Sequence, residues 1–228
     1  MRHRLALLLG LAIPLLFAGI YCTIGVNSTP QAAVPAAQAQ QGVTTAQGTQ
    51  AAQRNPKWAV PIEKPGLPNS FKVSDDLYRG AQPSPEGFAE LKAMGIKTDI
   101  NLRFLHDDRE KLAEAKVSGD ITQIEIPMNA WHPEEEDVVA FLKVVSNKSG
   151  APYFVHCQHG ADRTGMMVAI YRICIQGWPR QDALDEMKNG GFGFHEIWKD
   201  IPEFVEKNAD IEKIKRLAGL TETPGAGK

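Results

Sequence analysis

Five residues separate Cys157 from Arg163 in the run His156-Cys157-Gln158-His159-Gly160-Ala161-Asp162-Arg163-Thr164. A thiolate is a nucleophile, and a guanidinium is a planar fork that holds two oxygens of a phosphoryl group. A short loop carrying both can bind a phosphate ester and attack it. Its backbone N–H groups, from Gln158, His159, Gly160 and Ala161 into the first turn of a following helix, form an anion site. The same field favours thiolate over thiol, so Cys157 is expected to be acidic. Gly160 lets the loop turn without a Cβ in the way. Thr164 can donate its hydroxyl to the thiolate or to a leaving sulfur, and His156 can steady the loop by hydrogen bonding.

The loop needs a strand before it and a helix after it, and the flanks supply both. Pro152–Val155 is a short apolar run of the kind a buried strand uses. Met167, Ile170, Tyr171, Cys174 and Ile175 repeat at helical spacing. Upstream, Leu77–Gly80 reads as a strand. Ser84-Pro85 reads as a helix start, with Phe88, Leu91 and Met94 on the apolar side and Gly95 at the end. Ile96–Leu102 and Ile121–Ile126 read as strands. Asp107–Val117, Pro133–Val145, Arg180–Lys188 and Asp210–Leu217 read as helices. Strands alternating with helices predict an α/β fold: a central, mainly parallel sheet flanked by helices, with its ligand beyond the carboxyl ends of the strands. The proline-bearing stretch Lys57–Phe71 is expected to pack irregularly.

Cys157 to Arg163, with His156 and Thr164, resembles the phosphate loop of the protein tyrosine phosphatase superfamily. The lack of long insertions is similar to the dual-specificity branch. His156–Gly160, Arg163–Gly165, Tyr171–Ile173, Gln176–Trp178 and Gly190–Gly193 resemble bacterial periplasmic, biofilm-regulating tyrosine phosphatases. The resemblance implies a phosphatase fold and a phosphocysteine intermediate, with no cofactor and no metal; His132, His156 and His159 do not look like a metal set. It also implies an aspartate donating a proton from the loop after the preceding strand. There this chain reads Ile126-Pro127-Met128-Asn129-Ala130-Trp131, and Trp131 stands where the aspartate would be. Two replacements are open. Glu134, Glu135, Glu136 and Asp137 follow closely, although acids in a first helical turn also complement the helix dipole. Asp162 lies inside the loop, as in bacterial and phosphoinositide phosphatases with a loop acid, and is the preferred proton donor. Gly190–Gly193, with Phe192, Phe194 and His195, is either a pocket wall or a turn between helices.

The chain has 228 residues and a formal net charge of −2. Nothing in it suggests nucleic acid. Cys22, Cys157 and Cys174 are too few for a disulfide framework. Cys174 lies on the order of 15 Å from Cys157 by helix rise and reads as a packed core thiol. Arg2 and Arg4 precede an uncharged run from Leu5 to Val26. Residues 1–26 therefore read as a signal or membrane anchor, placing the rest outside the cytoplasm. Residues 27–56, rich in Ala and Gln, read as a flexible linker; 57–220 as the phosphatase domain; 221–228 as a disordered tail. The expected substrate is a phosphorylated protein, bearing phosphotyrosine and also phosphoserine or phosphothreonine. An inositol phosphate or phosphoinositide, and a membrane-tethered phospho-binding module without turnover, are the alternatives.

Overall fold

The computed structural model describes residues 54–220. The expected anchor and Cys22, most of the expected linker, and the expected tail lie outside the described residues. No helix among the described residues is long and apolar enough to cross a membrane.

Six strands form one sheet: β1 (Val60–Ile62), β2 (Ser70–Lys72), β3 (Leu77–Gly80), β4 (Thr98–Asn101), β5 (Thr122–Glu125) and β6 (Tyr153–His156). Their order is β1-β2-β3-β6-β4-β5. β3, β6, β4 and β5 run parallel, while β1 and β2 add antiparallel at one edge. The sheet is thus mainly parallel, as the alternating pattern predicts. The edge pair is the departure, because the Lys57–Phe71 stretch expected to be irregular supplies β1 and all of β2 but Lys72. Pro61 is tolerated there because an edge strand has a side that needs no ladder donor. Ordered contacts also begin earlier than the expected boundary. Arg54 donates from Nη2 to the Ala59 carbonyl at 2.7 Å, donates from Nη1 to Gly190, and lies over the rings of Phe71 and Phe192.

The helices are α1 (Pro85–Ala93), α2 (Arg109–Glu114), α3 (Glu135–Ser146), α4 (Asp162–Cys174), α5 (Arg180–Asn189), α6 (Asp200–Glu203) and α7 (Ile211–Ala218). A π-helical turn, Phe204–Asn208, follows α6. Ser84 caps α1, accepting from Gly87 N, with Pro85 at the first position as its sequence requires. Phe88 and Leu91 of α1 and Leu112 of α2 meet Phe154 on one face of the sheet. The second core gathers Leu77, Ile100, Tyr153 and Val155 against α3, α4 and α5. Successive residues of β6 therefore enter opposite cores, which is why the whole strand is apolar up to His156. α4 is buried along most of its length, so it is a central helix with no solvent face to spare. Cys174, near its end, is half-buried against the core; burial pushes its thiol up to about 11.

Register fixes where chemistry can occur. Gly80 and Asn101 both pair with His156, so β3, β4 and β6 stop level with one another. The next residue of β6 is Cys157.

Candidate active site

Cys157 stands at the carboxyl end of the central strand and is 2% exposed. Burial alone would raise its pKa. The side chain and amide of Thr164, the Arg163 charge and the His159 amide outweigh burial and hold the thiol below its ordinary value. The Thr164 hydroxyl is fully buried and has no hydrogen-bond partner among the described residues, which leaves it free to serve the sulfur. Gly160 has φ +70°, and a Cβ there would stand 2.4 Å from the Gly80 carbonyl carbon. No side chain can replace it, because the obstacle is backbone.

Arg163 donates from Nη1 to the carbonyls of Leu102 (3.3 Å) and Met128 (3.5 Å), which fixes its guanidinium against the segments after β4 and β5. Below the loop lies a second arginine. Arg79 of β3 is fully buried, donates from Nη2 to Gly160 O at 2.6 Å, and stacks on Phe192. Burial lowers its pKa to about 10, with Glu186 and Cys157 opposing the fall. From the side, Asn69 Nδ2 donates to the carbonyls of His159 and Phe192, both at 2.8 Å. Neither Arg79 nor Asn69 is singled out by motif. Arg79 does carry a signal, because an arginine in register with Leu77 points to the buried face.

His156 anchors the strand side. Its Nδ1 lies 3.4 Å from Cys157 O. Its Nε2 lies 3.3 Å from Asp99 Oδ1 and 3.2 Å from Asp108 Oδ2, in line with neither, so the contacts are ion pairs rather than linear hydrogen bonds. Burial opposes a charged ring, but Asp99 and Asp108 outweigh it and raise the pKa to about 10. Asp108 also accepts from Asn101 Nδ2 at 2.7 Å and Gln82 Nε2 at 2.5 Å. Gln82 in turn accepts from Arg103 at 2.6 Å.

Above the loop opens a cleft of about 320 Å³, lined by Ala130, Cys157, Gln158, His159, Asp162, Arg163, His195, Ile197 and Trp198. Cys157, Gln158, His159, Asp162 and Arg163 thus share one space, while Gly160, Ala161 and Thr164 are buried behind it. Glu134–Asp137 do not line it. Glu135 pairs with Lys213 at 2.6 Å. Asp137 is pushed up to about 6 by burial and by Glu134 and Glu136. Asp162 does line the cleft, but with a partner the sequence did not reveal. Its Oδ1 accepts from the backbone N of His195 at 2.9 Å, and its Oδ2 meets His195 Nδ1 at 2.9 Å. His195 arrives there because the Gly190–Phe194 turn buries Phe192 in the core and returns the chain to the cleft. That segment is therefore a core turn and a cleft wall at once.

Among the described residues, two groups have donor atoms within 4.8 Å of one another and could share a cation: His159, Asp162 and His195, and the buried Asp99, Asp108 and His156. In both, an imidazole and a carboxylate already serve each other.

Thiolate loop, arginine fork and strand-end placement together define a cysteine phosphatase. A family described as DSP-PTPase phosphatase fused to NAD+ kinase matches residues 40–201. The dual specificity protein phosphatase TpbA of Pseudomonas aeruginosa is 34% identical over 166 residues, 72% of each chain. Inositol diphosphatase DSP3 of Arabidopsis thaliana is 30% identical over 151 residues, 61% of this chain and 70% of its own. The crystal structure of P. aeruginosa TpbA in complex with pTyr superposes with a TM-score of 0.64 at 31% identity, covering 74% of this chain and 99% of that one. The chain belongs to the dual-specificity family of protein tyrosine phosphatases. It is a phosphatase, which removes the reading of a binding module without turnover.

Proposed function

We propose that this phosphatase hydrolyses phosphotyrosine in proteins, and phosphoserine or phosphothreonine more slowly. The observation that carries this is the wall of the cleft. Ala130, Ile197 and Trp198 face the space above Cys157, and Trp131 packs edge-on to Trp198 with ring centroids 4.2 Å apart. An aromatic leaving group finds apolar surface there; a sugar alcohol does not. Cys157 attacks phosphorus, Arg163 and the amides of Gln158–Ala161 hold the equatorial oxygens, and Thr164 and His156 support the thiolate. A proton reaches the leaving oxygen from the paired Asp162 and His195.

The test is kcat/KM on phosphotyrosine peptides, phosphoserine peptides and inositol phosphates. Phosphotyrosine should lead by at least about tenfold, the discrimination an apolar wall supplies. Faster turnover of inositol phosphates would reverse the reading. That second reading is favoured by Arg103, whose pKa is lowered by burial and by the neighbouring Arg163 charge, marking a second cation near the loop. One relative is also named an inositol diphosphatase.

The phosphatase works outside the cytoplasm, held at the membrane by residues 1–26 or released from them. Arg2 and Arg4 ahead of the uncharged Leu5–Val26 run support this. A reporter fused after Lys228 should be active only if it functions outside the cytoplasm; activity of a cytoplasm-only reporter overturns it.

A further inference from the structure

We infer that His195, not Asp162, hands the proton to the leaving oxygen, and that Asp162 acts by holding His195. The inference rests on the phosphatase reading and assigns one of its steps. Both Asp162 oxygens are engaged, Oδ1 by a backbone N–H and Oδ2 by the imidazole. Whichever of the pair carries the shared proton, it lies between Oδ2 and Nδ1. To donate it, Asp162 would have to abandon its partner. The side chain of Asp162 is only 8% exposed, so a carboxyl oxygen that gave up that partner would have little solvent contact to replace it. His195 is placed differently. Its side chain is 48% exposed and lines the same cleft as Cys157 and Arg163. Its Nδ1 is occupied, which fixes the ring and leaves Nε2 with no hydrogen-bond partner among the described residues.

The groups facing His195 are Asp162 from α4, His159, Cys157 and Arg163 from the phosphate loop, and Ile197 and Trp198 from its own segment. The His159 ring lies edge-on at 5.5 Å. In the first step Cys157 Sγ forms a bond to phosphorus as the bond to the leaving oxygen breaks. That oxygen keeps the electron pair and takes the proton from Nε2. Alcohol, phosphocysteine and neutral His195 result. In the second step Nε2 takes a proton from water as the water oxygen bonds to phosphorus. The sulfur–phosphorus bond breaks, and thiolate, phosphate and protonated His195 are restored.

The experiment compares His195→Ala, His195→Gln and Asp162→Asn on an alkyl phosphate and on p-nitrophenyl phosphate, with added imidazole. An alkoxide needs its proton; nitrophenolate hardly does. For His195→Ala, kcat on the alkyl phosphate should fall at least about a hundredfold, the usual contribution of a general acid. On p-nitrophenyl phosphate it should stay within a few-fold. Imidazole should restore part of the alkyl rate to His195→Ala, and none to the bulkier His195→Gln. Asp162→Asn should show the same leaving-group split more weakly, because the ring remains but is no longer held. Equal losses on both substrates without imidazole rescue would make His195 a structural residue and overturn the inference. A larger split for Asp162→Asn than for His195→Ala would return the proton to Asp162. Cys157→Ser keeps the two questions apart: if it still turns over p-nitrophenyl phosphate, the phosphatase mechanism fails; if it is inactive and His195→Ala matches wild type, only the present assignment fails.

Discussion

The guanidinium carbon of Arg79 lies 3.7 Å from the centroid of the Phe192 ring while Nη2 holds the carbonyl of Gly160 at 2.6 Å. One buried side chain thus joins the floor of the phosphate loop to the turn that delivers His195. No carboxylate bonds this arginine, and its Nε and Nη1 have no partner among the described residues. Its charge is therefore felt through space, by the Glu186 carboxylate first and by the Cys157 thiolate next.

Arg79→Met is expected to raise the Cys157 pKa. The rate of iodoacetamide alkylation against pH should shift to higher pH, and the acid limb of kcat/KM with it. An unchanged alkylation profile would show that the thiolate is set by Thr164 and Arg163 alone.

Cys157→Ser should abolish turnover yet retain phosphate-analogue binding, because serine fits the loop but is not ionised at neutral pH. Arg163→Lys should lower kcat/KM by at least about a hundredfold, since one ammonium cannot replace a bidentate fork worth ~3 kcal/mol in the transition state. Steady-state kinetics and vanadate titration check both.

Trp198→Ala should raise KM for phosphotyrosine peptides by about tenfold, the cost of losing an apolar wall of this size. The inhibition constant of inorganic phosphate should not move. Equal changes in both would mean that Trp198 supports the loop rather than the ligand.

His156 has a folded pKa of about 10 against an ordinary value of 6.5. A raised pKa means that the folded state binds its proton more tightly. That stabilisation is full below pH 6.5 and is lost as pH rises through about 10. The Tm difference between wild type and His156→Gln should therefore be largest near pH 6 and narrow towards pH 10. Asp137 has the same pH direction but is destabilising at neutral pH. Its raised pKa makes the ionised form unfavourable in the folded state, so stability falls as pH climbs from 3.8 to about 6. Asp137→Asn should raise Tm at pH 7 by up to about 2 °C, with no gain below pH 4 and no change in kcat.

Much of this was legible in the sequence. The β6–loop–α4 unit, the Ser84 cap and the parallel order follow from apolar period and turn residues. Asp162 is also in the cleft that its place in the loop implies. What stayed hidden depends on long-range pairing. Arg79 and Gly160 are 81 residues apart, and Asp162 and His195 are 33 apart. No local spacing encodes either contact. Asp99 lies in a strand that proves fully buried, and nothing in its local spacing marks it as a partner of His156, 57 residues on. The edge strands β1 and β2 were obscured because proline argues against strands in general, while the exception for edges is visible only once the edge is known.

The loop that holds the phosphoryl group is tied to the strand ends, through Arg79 to β3 and through His156 to β4. The wall formed by Ile197 and Trp198 hangs instead from the glycine-rich turn after α5. The nucleophile and the wall therefore start from different supports, which Arg79, stacked on Phe192, and Asn69, bonded to His159 and Phe192, couple to each other. A lineage, or a designer, that exchanges the side chains of Ile197 or Trp198 for a different leaving group leaves the Cys157–Arg163 loop on its strands, whereas a change in the glycine-rich turn moves His195 as well.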